Sequence, residues 1–291
     1  MAIPFLKDDP LAHGAVEQIA PLVRRVLCNN PSAFTFRGTN TYIVGQGEVG
    51  VIDPGPVDDA QLAAILAATR GERIAAVIAT HTHRDHSPGA AALIAATGAR
   101  SFGFGPHMTP PEAGGEGGDH GFRPDITLPD GARIAGEGWT LEALHTPGHC
   151  ANHLCFSLLG SGILFSADHV MSWSTSVVSP PDGDMADYMR SLARVMARED
   201  TMLLPGHGPK ITDPKPFLAA LFAHREEREA RVVTALRAAG EASADGLVGP
   251  VYGPLDPRLV KPAGRSLLSH LIKLEQEGVV ARTTGENWRA V

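Results

Sequence analysis

Residues 76–93 read AVIATHTHRDHSPGAAAL. An apolar run ends in three histidines and one aspartate packed into six positions, His81 to His86. Imidazoles this close repel one another when protonated and lose hydration when buried neutral. Such a cluster is retained where something holds the rings together. A metal ion does this well, because imidazole and carboxylate are its ordinary ligands. IAAVIAT reads as a short buried strand, and SPGAAALIAATG reads as a helix with Pro88 in its first turn and Gly98 past its end. The cluster therefore falls on a strand-to-helix loop, where α/β chains expose functional groups without blocking access.

The ligand candidates on this loop are His81, His83, Asp85 and His86. On an extended segment alternate residues point to opposite sides, and the turn at the helix start brings His86 round. The loop can thus serve two adjacent ions, His81 and His83 to one, Asp85 and His86 to the other. Four donors do not complete two sites. Three further candidates each sit at the exit of an apolar run: His149 in LHTPGHCANH, Asp168 in LFSADHV and His207 in LLPGHGP. His13, His107, His120, His224 and His270 lack that context and read as ordinary histidines.

The rest of the chain sorts by texture. Residues 24–53 alternate short apolar runs with turn signals and predict about three antiparallel strands. DDAQLAAILAATRG opens on an aspartate cap and closes at Gly71, which predicts a helix. Residues 105–124 are rich in Gly and Pro and predict a mobile loop. Strands are predicted near 125–136, 140–145, 153–159 and 162–167, then a helix over 185–198 and the strand TMLLP. From Pro214 the texture becomes helical. In the tail, Leu267, Leu268, Leu271, Ile272 and Leu274 form one stripe at helical spacing, and GVVARTTGENWRAV predicts a hairpin. Helices followed by a hairpin give the order of a winged helix. We place two domains, a catalytic one over 1–224 and a winged-helix-like one over 225–291.

Net charge is −7, which excludes a chain-wide basic footprint for nucleic acid. Three scattered cysteines do not make a disulfide framework. With no signal-peptide pattern and no apolar run of membrane-spanning length, the expectation is a cytoplasmic protein without a membrane partner. The tail holds ten Lys/Arg and nine Asp/Glu, and 258–273 carries Arg258, Lys261, Arg265 and Lys273 with no acid between. Arg265 and Lys273 are candidate phosphate or substrate contacts.

The full pattern resembles the metallo-β-lactamase superfamily. Its HxHxDH signature is present, followed by TPGH with His149, SADH with Asp168 and PGHG with His207. The resemblance implies an αββα sandwich with two zinc ions at one edge, Mn2+ or Fe2+ being alternatives. It further implies that His81, His83 and His149 hold one ion, that Asp85, His86 and His207 hold the other, and that Asp168 bridges them. RGTNTYIVG, VIDPG, PPDGDMADYMRSL and LLSHLIKLEQEGVV resemble one branch, the lactamase-beta-like protein 2 group, whose animal members are endoribonucleases on single-stranded RNA and carry a C-terminal winged-helix-like domain. Departures from that branch include Cys150-Ala151-Asn152-His153 after His149 and Ala167 before Asp168. Cys150 has no metal role in the family pattern.

Two further residues follow. Asp53, at the exit of VGVID, is placed to accept the outer N–H of a ligating imidazole. His153 matches a histidine that faces the substrate side in related hydrolases. A paired metal centre makes hydroxide available near neutral pH, with Asp85 orienting it as well as binding metal. The first reading is an endoribonuclease or phosphodiesterase acting on single-stranded RNA. The alternative is a small thioester or ester hydrolase like glyoxalase II. A third is a winged-helix nucleic-acid-binding regulator with a vestigial metal domain. A homo-oligomer is left open.

Overall fold

The computed structural model describes residues 2–113 and 117–291, with the side chain of Arg258 outside the described set. The first sheet is built from β1 (Val16–Ala20), β2 (Val23–Leu27), β3 (Asn40–Gln46), β4 (Glu48–Ile52), β5 (Arg73–Ile78), β6 (Arg100–Gly103) and β7 (Ile126–Thr127), in that spatial order. β1 to β4 pair antiparallel and β4 to β7 parallel. Parallel neighbours need a crossover. α1 (Asp59–Ala68) crosses from β4 to β5 and α2 (Ala90–Thr97) from β5 to β6. Asp58 caps α1 by accepting from the backbone of Ala60 and Gln61, and Gly98 closes α2 in the left-handed region. Pro88 lies just ahead of α2 instead of inside its first turn.

The second sheet holds β8 (Arg133–Gly136), β9 (Trp139–His145), β10 (Leu154–Leu158), β11 (Ile163–Ala167) and β12 (Met202–Pro205). α3 (Met185–Met196) returns the chain from β11 to β12, which pair parallel. Between the sheets lies a core of Tyr42, Ile78, Trp139, Phe156 and Phe165. Ile65 and Leu93 cover the outer face of the first sheet, and Tyr188, Leu192 and Phe217 cover that of the second. Helix, sheet, sheet, helix is the αββα sandwich expected. In the glycine-rich segment Asp119 accepts from Ser87 and from the backbone of Gly121, and the mobility expected of Gly114–Glu116 falls outside the described residues.

α4 (Pro214–Ala239) runs without a break through residue 224. Its first half packs Phe217, Leu218 and Leu221 on the second sheet. Its second half gives Val232 and Leu236 to a separate core with Leu247, Leu267, Leu271 and Trp288. That core belongs to a C-terminal winged helix with α5 (Val248–Tyr252), α6 (Pro257–Gln276) and a three-stranded sheet of β13 (Ala242–Ser243), β14 (Val280–Arg282) and β15 (Asn287–Ala290) in the order β13-β15-β14. Leu267, Leu271 and Leu274 are buried as the stripe predicts, and Leu268 and Ile272 are half-buried. Among the described residues no helix is long and apolar enough to cross a membrane.

Candidate metal centre

All seven candidate ligands converge at the strand exits where the two sheets meet. His81 and His86 follow β5, His149 follows β9, Asp168 follows β11 and His207 follows β12. The ligand-capable atoms fall into groups: His81, His83 and His149; Asp85, His86 and His207; and His81, His86 and Asp168. His83 Nδ1 lies 3.0 Å from both His81 Nε2 and His149 Nε2. His207 Nε2 lies 3.2 Å from Asp85 and 3.5 Å from Asp168, and His86 Nε2 lies 3.5 and 3.6 Å from the same two carboxylates. Donors held about 2.0–2.1 Å from a tetrahedral ion stand about 3.3 Å from one another, so these spacings fit a coordination shell. His86 Nε2 and Asp168 Oδ1 are buried without a hydrogen-bond partner, which is costly unless an ion takes their lone pairs.

The imidazole tautomers are set from behind. His149 Nδ1 lies 2.6 Å from the carbonyl of Val177, and His207 Nδ1 lies 3.1 Å from that of Gly38. A carbonyl only accepts, so both Nδ1 atoms carry hydrogen and leave Nε2 for a metal. His86 Nδ1 donates to Asp53 Oδ2 at 2.8 Å. Thr80 Oγ1 donates to the same oxygen at 2.7 Å, which turns its lone pair toward His81 Nδ1 at 3.0 Å. One buried carboxylate thus orients two rings. Gly206 makes room for this, since a Cβ there would stand 2.3 Å from Asp168 Oδ1.

The electrostatics divide the cluster. Burial, reinforced by the neighbouring rings, pushes His81 well below its ordinary pKa and His83 down to about 3. Burial opposes charge at His207 too, but Asp168 and Asp85 raise it to about 10. Burial likewise opposes charge on Asp85, yet His86 and His207 hold it below the usual carboxylate range. A metal arriving at His207 therefore displaces a proton.

The comparisons with known proteins agree with this geometry. A family model described as the metallo-beta-lactamase superfamily matches residues 34–207. The chain belongs to the metallo-beta-lactamase superfamily. A second model, the beta-lactamase associated winged helix domain, matches residues 243–288. An atrochrysone carboxyl ACP thioesterase of Paecilomyces divaricatus is 34% identical over 285 residues, covering 91% of this chain and 83% of its own length. An atrochrysone carboxyl ACP thioesterase of Passalora fulva is 33% identical over 252 residues, covering 82% and 70%. A beta-lactamase domain protein from Burkholderia ambifaria shares the metallo-beta-lactamase fold with a TM-score of 0.84 at 23% identity, over 100% of this chain and 97% of that one. The chain is a hydrolase of this superfamily.

Other candidates fare differently. His153 does not reach the substrate side. Its side chain is fully buried behind His81, ring centroids 5.1 Å apart, and its Nδ1 meets Thr146 at 2.9 Å because the start of β10 turns it inward. Lys273 is not available to a substrate phosphate either. Glu229 of α4 lies 2.8 Å from its ammonium and Glu277 2.9 Å. Arg265 donates to the carbonyl of Pro180 at 3.1 Å, tying α6 to the catalytic unit, and the side chain of Arg258 lies outside the described residues. All three cysteines are free and buried. Cys150 groups with His83 and Asp182, but burial and then Asp182 push its thiol well above the ordinary value and keep it protonated.

A cavity of about 460 Å³ opens onto the centre. His83, Asp85, His149, Asp168 and His207 form its floor, Phe34, Met171 and Val177 supply apolar wall, and Arg84 brings a cation to it. Thr80, Arg84 and these three apolar residues were not singled out by sequence reasoning. Thr80 had a signal, its place between the strand and His81, whereas the wall residues sit on loops without periodicity.

Proposed function

We propose that the chain is a binuclear metal-dependent thioesterase acting on an acyl thioester, with a carrier-protein thioester as the natural form. The observation that carries this reading is the cavity itself, polar on its His/Asp floor and apolar on its walls. It suits an acyl chain bound above a carbonyl-cleaving centre better than it suits a polyanion. The thioesterase names of the two curated relatives support the same substrate class. With Lys273 paired to Glu229 and Glu277, the RNA reading loses one of its two expected basic contacts. The resemblance to the lactamase-beta-like protein 2 group is retained for architecture, and the division at residue 224 as a division of labour along α4.

His81, His83 and His149 would hold one ion, Asp85, His86 and His207 the other, with Asp168 shared. Divalent ions there, zinc in our reading, would polarise the thioester carbonyl and make hydroxide available near neutral pH. Asp85 lines the cavity with its side chain 29% exposed, so it can orient the attacking water. Asp53, Val177 and Gly38 keep the rings in the tautomers this requires. Phe34, Met171 and Val177 exclude bulk water from the acyl group.

The test is hydrolysis of N-acetylcysteamine and carrier-protein thioesters by zinc-loaded protein, read as thiol release, beside single-stranded RNA. Thioester turnover that Asp85→Ala abolishes is the expected result. Brisk RNA cleavage with intact thioesters would overturn the proposal.

A further inference from the structure

The cavity wall has a construction that points to the size of the acyl group. Phe34 is 49% exposed and lines the cavity. Its loop, between β2 and β3, is not loose. Ser32 Oγ accepts from the backbone N–H of Phe34 and of Thr35, both at 3.1 Å. Thr35 Oγ1 donates to the carbonyl of Asn30 at 2.6 Å, and Asn30 Oδ1 accepts from Thr39 N at 2.9 Å. Gly38 closes the loop at φ +142°, where a Cβ would stand 1.9 Å from the carbonyl oxygen of Cys28. Next along the chain from Thr35, Phe36 stacks on Trp173 with ring centroids 5.0 Å apart. That stack joins the Phe34 loop to the segment carrying Met171 and Val177, so the two sides of the wall are one packed unit.

A structured loop that leaves a phenyl ring half in water above an apolar wall is preorganised for an apolar ligand, because little ordering remains to be done on binding. Resting on the thioesterase reading, we infer that Phe34 selects substrates with a bulky, apolar, preferably planar acyl group, and that it does so by stacking on that group while the thioester carbonyl sits on the His/Asp floor. The volume agrees: about 460 Å³ lies in the ordinary range for enclosing a drug-sized molecule and is far more than an acetyl group fills. Aromatic pairs add attraction beyond area burial, which favours a ring system over a linear chain of equal size.

The experiment compares zinc-loaded wild type with Phe34→Ala and Phe34→Tyr on acetyl and 2-naphthoyl thioesters of N-acetylcysteamine. Wild type is expected to prefer naphthoyl by tenfold or more in kcat/KM. Phe34→Ala should lose most of that preference through KM, and Phe34→Tyr should keep it. Binding of 2-naphthoate, followed by its fluorescence, gives a second readout that needs no turnover, and Phe34→Ala should weaken it about tenfold. If no thioester is hydrolysed but naphthoate binding still depends on Phe34, the thioesterase reading fails and the acyl pocket stands. If Phe34→Ala changes both thioesters equally, or leaves naphthoate binding unchanged, the inference is overturned.

Discussion

Replacing Asp53 by Asn tests whether a residue outside the ligand set governs metal binding. Three donors converge on the Asp53 carboxylate: Thr80 N–H on Oδ1 at 2.8 Å, and Thr80 Oγ1 and His86 Nδ1 on Oδ2 at 2.7 and 2.8 Å. Asparagine keeps the shape but offers one oxygen and one NH₂. With the oxygen toward Thr80 N–H, the NH₂ faces Thr80 Oγ1 and His86 Nδ1. The hydroxyl can rotate and accept. His86 can accept only by moving its hydrogen to Nε2, the atom the metal needs. With the amide flipped, NH₂ meets a backbone N–H that cannot change. Both arrangements leave a buried mismatch, because Asp53 is 2% exposed and water cannot repair it.

Loss of such a supporting carboxylate typically weakens metal binding by about 10–100-fold, or about 1.4–2.7 kcal/mol. Asp53→Asn should fall in that range while its circular dichroism stays that of wild type. Competition against a chromophoric chelator at neutral pH measures it. His81 should be affected as well, since the same Thr80 hydroxyl orients it. An affinity within about threefold of wild type would refute the argument that Asp53 sets the His86 tautomer.

Gly206→Ala should weaken zinc uptake by tenfold or more, because its Cβ would press on Asp168 Oδ1 and on His86 Cε1 2.9 Å away; chelator competition checks it. Glu229→Gln should destabilise the winged helix in a pH-dependent way. Burial opposes the Glu229 charge, but His270 and Lys273 hold its carboxyl below the ordinary 4.5. A depressed carboxylate contributes fully above about 4.5 and less as pH falls through its folded value. The gap in thermal midpoint between wild type and variant should therefore be present at neutral pH and close below about pH 4.5, and a gap that widens on acidification would contradict the assignment.

The metal centre was legible because each candidate ligand carried a local mark, an apolar run that stops at a His or Asp beside a Pro-Gly or Ser-Ala turn. Strand exits convert those marks into convergence, and the sandwich brings four such exits together. The apolar wall of the cavity had no mark of that kind. Phe34, Met171 and Val177 are single apolar residues on irregular loops, and only tertiary packing makes them one surface. β1 was missed because VEQIA is short, is interrupted by Glu17 and Gln18, and joins the sheet at its edge. The basic run in α6 misled for a related reason. Along the chain 258–273 contains no acid, but Glu229 arrives from α4, 44 residues earlier in sequence, and meets Lys273 across the helix pair. Charge read along a chain does not see ion pairs that cross between helices.

That crossing gives the C-terminal unit a mechanical relation to the cavity. Arg225, buried in α4, donates to the carbonyl of Ser176 at 2.6 Å and sits 5.0 Å from the Tyr188 ring centroid. Arg265 in α6 donates to the carbonyl of Pro180. Both bonds land on the segment between β11 and α3. This segment supplies Met171 and Val177 to the wall, and its Val177 carbonyl fixes the His149 ring. One stretch of loop backbone therefore carries a tautomer anchor, an apolar wall and two tethers from the C-terminal helices. A carbonyl accepting from a guanidinium is held more firmly than one left to water, since such charge-assisted bonds are about twice as strong as neutral ones. Arg265, which in sequence looks like a phosphate contact, instead holds the loop that walls the cavity and anchors the His149 ring.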